Sequence, residues 1–428
     1  MTFAPDMVTI RVPGDKSVSH RSLILSALAT GTSVIRGLLR SADVANTAAV
    51  LRSLGVVIED DGDRVTVHGR GLRGLMEPAL PLDCGNSGTS ARLIMGVLAA
   101  HPFDSTLYGD HSLSRRPMRR AAEPLERMGA RFTFVDGDDG LPIVVHGAEL
   151  SSIGWTSHTS SAQIKSAILL AAVNAQVGVS VTEPGRSRDH TERMLAARGV
   201  SVLVDGDTVS IGAVRSIEAL DVDVPGDPSS AAFFVALGAM MHGCSNGKGS
   251  DLRDVCVNPT RTGFFDVVQR MGAVLAFEDL AEIGGEPTAT IRVTGGSALR
   301  GVSIGGADLP SMIDEIPILA CLAARAVGET VISDASELRA KESDRISAVV
   351  RNLRAIGVDA DERRDGMVIR GSDRPLKGFV ETHGDHRLAM AFGILGALPG
   401  NTIEVDKPEC VAVSYPDFWR DLHAVAAS

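Results

Sequence analysis

The stretch that decides the fold is Val12–Ser22, with the sequence VPGDKSVSHRS. A β-branched run precedes it and an apolar run follows it, so a strand should stop at Gly14 and a helix should begin near Ser17. The start of a helix offers free N–H groups and positive potential, and Lys16 and Arg21 add two cations there. The stretch alone fits a capped surface helix as well as it fits an anion site.

The same pattern, a polar turn that opens an apolar helix, occurs six times along the chain. The copies begin near Gly14, Gly85, Ser160, Gly226, Ile313 and Gly384. After a strand, a second and more charged helix follows in most copies and ends at a glycine, which favours a helix C-cap. These glycines are Gly55, Gly129, Gly199, Gly272 and Gly357. A hairpin then completes the unit, so the sequence predicts repeats of roughly 65–90 residues built from strand, helix, strand, helix and hairpin.

One such unit cannot bury both of its helices, so we predict two lobes of three units each. The opening sequence is echoed at Val224–Ser229, VPGDPS, which indicates that the chain leaves one lobe near residue 13 and re-enters it near residue 227. One lobe would contain residues 1–13 and 227–428, and the other residues 14–226, with hinges at 13–14 and 225–227. Helix starts that line a cleft between the lobes would favour anionic ligands at an active site there.

The composition excludes several classes of protein. The 428 residues are 44% hydrophobic and 22% charged, as in ordinary globular proteins, and a net charge of −11 with 4% aromatic residues argues against a nucleic-acid binder. Five scattered cysteines predict a reduced, cytoplasmic protein, and no apolar run is long enough to cross a membrane. The GxGxxG match at Gly69–Gly74 lacks the following helix of a dinucleotide site and predicts a turn. His383 and His386 lack further ligands, so no metal site is expected.

Four further segments carry cations near predicted helix starts. They are Ser112–Arg120, Arg186–His190, Lys341–Arg345 and Asp385–Arg387. In the first of these segments, Pro117 is the candidate first residue of the helix. Arginine binds phosphate or carboxylate through two parallel hydrogen bonds, so several such segments in one site predict ligands with several negative charges. Asp314 opens an apolar helix and Glu342 lies among cations; each fits an ion pair as well as a general base.

Nine motifs in combination are similar to those of one known family. Between Thr9 and Trp419 they are PGDKSVSHR, GNSGTSAR, SLSRRPM, SAQIKSA, SRDHTE, MIDEIP, KESDR, GDHRLAM and SYPDF. They resemble the 5-enolpyruvylshikimate-3-phosphate (EPSP) synthase family of enolpyruvyl transferases, and three of them, SLSRRPM, SAQIKSA and SRDHTE, resemble its class II members. The resemblance implies an α/β fold of two lobes, each with three repeated βαβαββ units in an inside-out α/β barrel.

The resemblance also implies a reaction and a set of site residues. The family transfers the enolpyruvyl group of phosphoenolpyruvate to the 5-hydroxyl of shikimate 3-phosphate and releases phosphate, in aromatic amino acid biosynthesis, without metal or organic cofactor. Asp314 would be the base, and Glu342 or Lys16 would protonate the methylene carbon. Shikimate 3-phosphate would bind Lys16, Ser17, Arg21, Ser160, Ser161, Gln163, Arg188, Asp314 and Lys341. Phosphoenolpyruvate would bind Lys16, Asn86, Gly88, Arg116, Gln163, Glu342, Arg345, His386 and Arg387.

Two positions bear on finer properties that the resemblance implies. Val413 stands where class I members carry a lysine that contacts phosphoenolpyruvate, and Lys407 is a candidate to replace it. Gly88 is the small residue expected beside phosphoenolpyruvate, and some class II members that exclude glyphosate have alanine there. We therefore expect glyphosate to inhibit in competition with phosphoenolpyruvate. The protein is expected to be a cytoplasmic monomer.

Two other functions fit parts of the sequence. A sister enzyme that transfers enolpyruvate to a UDP-sugar shares the fold, but it typically carries a cysteine in the loop before its Arg-Pro. The corresponding loop here, Tyr108–Pro117, contains no cysteine. A non-catalytic repeat scaffold that binds polyanions would not need Lys16, Asp314, Glu342 and Arg387 together.

Overall fold

The structure is a computed structural model that describes residues 8–137, 139–241, 250–296 and 298–426. The predicted roles of residues 1–7 in one lobe and of Cys244 as a reduced thiol lie outside these residues. The helices are α1 (Lys16–Leu28), α2 (Ala42–Ser53), α3 (Gly88–Leu98), α4 (His111–Ser114), α5 (Arg119–Met128), α6 (Ala162–Ala175), α7 (His190–Ala196), α8 (Pro228–Met241), α9 (Gly263–Arg270), α10 (Ile316–Ala323), α11 (Arg345–Ala355), α12 (His386–Gly396) and α13 (Phe418–Ala426). Short 3₁₀ helices cover Gly306–Ser311, Ile313–Glu315, Ser336–Ala340 and Pro408–Val413.

The strands come in groups that follow the predicted repeat. They are β1 (Val8–Ile10), β2 (Thr30–Arg36), β3 (Val57–Asp60), β4 (Arg64–Arg70), β5 (Leu82–Asp83), β6 (Asp104–Tyr108), β7 (Arg131–Phe134), β8 (Ile143–His146), β9 (Ile153–Thr156), β10 (Val179–Thr182), β11 (Val202–Asp205), β12 (Thr208–Ile211), β13 (Val222–Asp223), β14 (Ser250–Cys256), β15 (Ala273–Ile283), β16 (Glu286–Gly296), β17 (Ser303–Ile304), β18 (Glu329–Ile332), β19 (Asp359–Arg363), β20 (Gly366–Arg370), β21 (Lys377–Val380) and β22 (Thr402–Val405).

Each four-stranded sheet has the same connectivity. The orders are β13-β2-β4-β3, β5-β6-β8-β7, β11-β12-β10-β9, β1-β14-β16-β15 and β17-β18-β20-β19, while β21 pairs with β22 alone. The first strand of a unit pairs in parallel with the second, and the hairpin adds antiparallel strands; β5 is parallel to β6, for example, and β8 is antiparallel to both β6 and β7. The predicted α/β fold of six related units is confirmed, with a shorter sixth unit.

Two sheets take their first strand from a distant part of the chain. The repeat that contains α1 begins with β13, which pairs in parallel with β2. The repeat that contains α8 begins with β1, which pairs in parallel with β14. The Asp15 N–H donates to the Pro225 carbonyl at 2.7 Å, and the Asp227 N–H donates to the Pro13 carbonyl at 2.8 Å. The repeated Val-Pro-Gly-Asp sequence therefore marks both places where the chain passes between the two groups of sheets.

The chain divides into two compact units. Unit 1 contains the chain through Pro13, Gly226–Ala281 and the chain from Pro287 onward, and unit 2 contains Gly14–Pro225 and Glu282–Glu286. Relative to the predicted boundaries, Gly226 belongs to unit 1, and the tip of the β15–β16 hairpin belongs to unit 2. The hinges at 13–14 and 225–227 and the active-site cleft remain predictions.

The first helix of each repeat is almost wholly buried. Helices α1, α3 and α6 contact one another in sequence order in unit 2, and α8, α10 and α12 do so in unit 1. Close approach between α3 and α6 depends on Gly96, because a Cβ there would lie 2.3 Å from the Ala167 carbonyl oxygen. The second helices keep an exposed face and end, as predicted, at glycines with left-handed backbone. Their φ values are 85° at Gly55, 118° at Gly129, 83° at Gly199, 112° at Gly272 and 95° at Gly357.

Two local predictions have different outcomes. Pro117 was expected at the first position of a helix, but α5 begins at Arg119. The reason is that the Pro117 carbonyl accepts a hydrogen bond from Arg92, and the Met118 N–H donates to Asp139 outside the helix. The GxGxxG segment at Gly69–Gly74 is a turn, as predicted, with φ of 76° at Gly71 and no helix directly after it among the described residues.

The histidine His101 makes the stability of unit 2 sensitive to mild acid. Burial lowers its pKa to about 4, although the Val97 carbonyl within hydrogen-bond distance opposes this. Between pH 6.5 and 5 the unfolded chain binds a proton here and the folded protein does not, so stability falls as the pH falls. We expect this histidine to contribute about 2 kcal/mol to that loss. Denaturant unfolding should show a shallower loss for His101→Gln than for the exposed control His158→Gln; equal slopes would contradict the assignment.

Candidate functional site

The start of α1 places Lys16 where the sequence predicted it. Asp15 caps the helix by accepting a hydrogen bond from the Val18 N–H at 2.8 Å. The Lys16 ammonium forms an ion pair with Asp43 at the start of α2, and its side chain is 28% exposed. The ammonium is therefore held by a carboxylate and remains open to a ligand.

Arg21 is buried rather than open, at 3% exposure. Its Nε donates to Thr191 Oγ1 at 2.7 Å, and its NH2 donates to Ser166 Oγ at 2.8 Å. Its NH1 donates to the Ser17 carbonyl at 3.0 Å. Burial lowers the pKa of Arg21 to about 10, against the opposing effect of Glu192, so it is still charged at neutral pH. The side chain ties α1 to α6 and α7.

The start of α3 carries a second group of candidate residues. Asn86 links two charged side chains. Its Oδ1 accepts a hydrogen bond from Arg116 NH2 at 2.6 Å, and its Nδ2 donates to Asp110 Oδ2 at 2.7 Å. A Cβ on Gly88 would lie 2.9 Å from Arg92 NH1 and 3.5 Å from Arg116 NH1. The glycine thus leaves room directly beside two guanidinium groups.

Arg92 is a residue that the sequence analysis missed. Its NH1 donates to Gln163 Oε1 at 2.7 Å, and Gln163 Nε2 donates to Thr89 Oγ1 at 2.9 Å. Burial lowers the pKa of Arg92 to about 10. Its position one helical turn after Gly88 was the available signal, but nothing local shows that it fixes a glutamine 71 positions later.

The remaining candidates of unit 2 lie around the start of α6. Ser160 Oγ donates to the Gly185 carbonyl at 2.6 Å, and the Ser161 N–H donates to Glu183 Oε1 at 2.8 Å. Arg188, in the loop before α7, is partly exposed. Helices α1, α3 and α6 therefore each begin with candidate ligands, all within unit 2.

In unit 1 the carboxylate of Asp314 is surrounded by cations. It lies in the 3₁₀ helix before α10 and is 15% exposed. Its Oδ1 is 3.3 Å from Lys341 Nζ and 3.6 Å from Arg345 NH1, and its Oδ2 is 4.0 Å from Arg387 NH2. Arg387 NH1 also donates to the Asp314 carbonyl at 3.3 Å. Three predicted site residues from two segments of the chain thus converge on a fourth.

Arg345 is the most deeply buried side chain of this group. It is 1% exposed, and it donates to Asp385 at 2.8 and 3.2 Å and to Glu342 Oε2 at 2.7 Å. Burial opposes ionisation of Glu342, but Arg345, His386 and a backbone hydrogen bond together outweigh it and lower the pKa of Glu342 to about 2. Burial, followed by the charge of Arg387, lowers the pKa of His386 to about 3. At neutral pH Glu342 is therefore ionised and His386 is neutral.

Other predictions concern the end of the chain and bound groups. Val413 ends the last 3₁₀ helix and is 39% exposed, and Lys407 stands directly before that helix with φ of 44°. Lys407 as a substitute for the class I lysine stays a prediction. Across the described ranges, no group of three or more His, Cys, Asp or Glu side chains is arranged to hold a metal ion. No helix there is long and apolar enough to span a membrane.

A family model described as EPSP synthase (3-phosphoshikimate 1-carboxyvinyltransferase) matches residues 7–422. The chain belongs to the EPSP synthase family. A 3-phosphoshikimate 1-carboxyvinyltransferase of Geobacter metallireducens is 47% identical over 98% of this chain and 96% of its own length. The Bacillus subtilis enzyme of the same name is 46% identical over 97% and 96%. A crystal structure of EPSP synthase from Acinetobacter baumannii superposes with a TM-score of 0.87 at 41% identity, over 98% of this chain and 95% of that one.

Membership of the EPSP synthase family confirms three predictions made from the sequence: the family, the transferase activity and the fold class. The family activity is transfer of the enolpyruvyl group from phosphoenolpyruvate to shikimate 3-phosphate. Both substrates carry phosphate and carboxylate groups, which agrees with the cations gathered in each unit. Which residue does what in this chain is a separate question.

Proposed function

We propose that this EPSP synthase family member uses the cations and carboxylates described above to join phosphoenolpyruvate to shikimate 3-phosphate. The observation that carries the assignment is the Asp314 carboxylate, which has Lys341, Arg345 and Arg387 within 4.0 Å. A carboxylate at this place can accept the proton of a substrate hydroxyl, while the cations beside it attract anionic substrates.

The binding residues are proposed to be those predicted from the sequence. Shikimate 3-phosphate binds Lys16, Ser17, Arg21, Ser160, Ser161, Gln163, Arg188, Asp314 and Lys341. Phosphoenolpyruvate binds Lys16, Asn86, Gly88, Arg116, Gln163, Glu342, Arg345, His386 and Arg387. Arg21 is already bonded within the protein, so part of its hydrogen bonding must be exchanged when the substrate binds. Arg92 joins this set as the residue that orients Gln163.

The proposed reaction is addition followed by elimination. Asp314 takes the proton of the 5-hydroxyl, whose oxygen attacks C2 of phosphoenolpyruvate, and the methylene carbon receives a proton. Because its neighbours lower the pKa of Glu342 to about 2, this carboxylate has no proton to donate at neutral pH, which favours Lys16 as the donor. The tetrahedral adduct then loses phosphate. Fixed cations stabilise the charge that develops without having to reorganise.

The direct test is a phosphate-release assay with the purified protein. Release should require phosphoenolpyruvate and shikimate 3-phosphate together, without added metal or cofactor. No release, or release only when a UDP-sugar acceptor replaces shikimate 3-phosphate, would contradict the proposal. The first outcome would favour a non-catalytic scaffold and the second the sister enzyme.

Glyphosate is proposed to inhibit in competition with phosphoenolpyruvate, and Gly88 should control its affinity. Alanine at this position would bring a methyl group to 2.9 Å from Arg92 NH1, so that guanidinium must move. We expect Gly88→Ala to raise the inhibition constant at least about tenfold, a cost typical of overpacking. Gly212→Ala is the control, because nothing lies within 4 Å of a Cβ there. Equal constants for Gly88→Ala and wild type would contradict a direct contact.

The protein is also proposed to be a cytoplasmic monomer. Cys84, Cys321 and Cys410 are free thiols, which suits a reducing compartment. Light scattering on a size-exclusion column should give the mass of one chain, 44.8 kDa. Cell fractionation should recover the activity with the cytoplasm.

A further inference from the structure

A buried ion-pair cluster in unit 2 contributes no residue to the proposed substrate contacts. Lys165, on α6, has a side chain that is 3% exposed. Its Nζ lies 2.9 Å from Glu183 Oε2 and 2.8 Å from Glu192 Oε1, and these two side chains are 4% and 5% exposed. Burying three charges is costly, and hydrophobic residues would often be at least as stabilising. The cluster therefore calls for a role besides stability.

The two glutamates differ in what else they contact. Glu183 Oε1 accepts a hydrogen bond from the Ser161 N–H at 2.8 Å. Its Oε2 accepts one from Ser187 Oγ at 2.7 Å and one from the Ser187 N–H at 3.3 Å. Glu192 Oε2 has no hydrogen-bond partner in the part of the chain that the structure describes. Glu183 thus connects two loops, whereas Glu192 pairs with Lys165 and acts on Arg21 only through its charge.

Both loops held by Glu183 carry proposed ligands of shikimate 3-phosphate. Ser161 is itself such a ligand, and it stands at the N-cap of α6 without using its side chain as a cap. Ser187 directly precedes Arg188, the second such ligand. Lys165 lies one turn into the same helix, since its N–H donates to the Ser161 carbonyl at 3.0 Å. The Glu183 carboxylate therefore sets the distance between the Ser161 hydroxyl and the Arg188 guanidinium, which are both proposed to bind shikimate 3-phosphate.

We propose that Glu183, held in place by Lys165, is a positioning residue for shikimate 3-phosphate. It does not touch the substrate; it fixes the Ser161 and Arg188 loops relative to each other. The inference rests on the proposed binding of shikimate 3-phosphate by those two residues. Its effect should appear in the KM of that substrate and leave the KM of phosphoenolpyruvate unchanged, because none of the bonds of Glu183 goes to the residues around Gly88.

Glu183→Gln tests this role, with Glu192→Gln as the matched control. The glutamine presents one oxygen and one NH₂ group, so it cannot accept from both Ser161 and Ser187 and also face the Lys165 ammonium. We expect the KM for shikimate 3-phosphate to rise about tenfold in Glu183→Gln, as for the loss of a charge-assisted hydrogen bond. In Glu192→Gln it should rise less, although the same lysine loses a partner, because Glu192 binds neither loop and acts on Arg21 only through its charge. Thermal unfolding should show similar losses of stability in the two variants.

A rise confined to shikimate 3-phosphate would support the proposal; equal effects of the two variants on both KM values would overturn it. If Glu183→Gln does not fold, Ser187→Ala decides, because it removes one bond to Glu183 and leaves the charges in place; an unchanged KM would then overturn the proposal. Ser161→Ala retains the backbone N–H that binds Glu183 and removes only the hydroxyl proposed to bind the substrate. It therefore tests substrate binding by Ser161 separately from the positioning role of Glu183. If its KM rises and that of Glu183→Gln does not, only the positioning role fails. If neither rises, the proposed substrate ligands fail too.

Discussion

Lys16→Ala should lose at least about 100-fold in kcat, because removal of one preorganised group that stabilises developing charge costs on the order of 10²–10³. The ammonium stands at the start of α1, beside the free N–H groups of that helix, and Asp43 holds it there. As the proposed proton donor and a ligand of both substrates, it serves each stage of the reaction. Steady-state kinetics with both substrates would measure the loss.

The fold should survive this change. Asp43 loses its partner, but the carboxylate side chain is 12% exposed and can be partly hydrated. Circular dichroism should therefore be unchanged, and the melting temperature should fall by only a few degrees, as for about 1 kcal/mol. Lys377→Ala, at an exposed lysine on β21, is the matched control and should keep full activity. Normal turnover by Lys16→Ala would overturn this account of the site.

Asp314→Asn should lower kcat by about 10²–10⁴-fold, the range expected when a general base is removed. The amide keeps the shape of the side chain but cannot accept the proton of the 5-hydroxyl. Lys341, Arg345 and Arg387 remain, so the attraction for anionic substrates is retained, and both KM values should change by less than about tenfold. Rapid measurement of a single turnover would show whether the slow step is the chemistry.

Asp308→Asn provides the comparison for this variant. Asp308 lies in the neighbouring 3₁₀ helix, Gly306–Ser311, and pairs with Arg270 at 3.0 Å on the surface. The same chemical change there should leave kcat unaltered, because exposed ion pairs contribute little. If Asp314→Asn kept more than a tenth of the wild-type kcat, Asp314 would not be the base.

Several features of the fold could be predicted from short stretches of the sequence. The start of α1 and the glycine ends of five second helices follow from backbone hydrogen bonding at helix ends and from the freedom of glycine to adopt positive φ. These depend on residues within about one turn of each other, which is why a single sequence can reveal them. The predicted start of α5 at Pro117 failed because its carbonyl bonds to Arg92, which lies 25 positions away.

The candidate site was also predictable only in part, because the sequence shows which residues are neighbours in the chain but not which distant residues they contact. Lys341, Glu342 and Arg345 were recognisable as a group because they are close neighbours in the chain. Lys341 and Arg345 both pair with Asp314, which is 27 positions from Lys341, and nothing in the sequence indicated that Arg345 would be buried against Asp385, 40 positions away. Arg21 was predicted to add a cation at the start of α1, but the sequence did not indicate its burial against Thr191, which lies 170 positions away.

What the sequence by itself determined is the sixfold repeat, the helix starts, the family and the residue types of the site. What only the tertiary structure decided is which of these side chains meet. For example, the first strand of the repeat around α1 comes from residues 222–223. Likewise, the Glu183 carboxylate accepts hydrogen bonds from both Ser161 and Ser187. The physical reason is range: caps and turns depend on nearby backbone groups, whereas the partner of a buried charge is selected by how distant helices and strands pack.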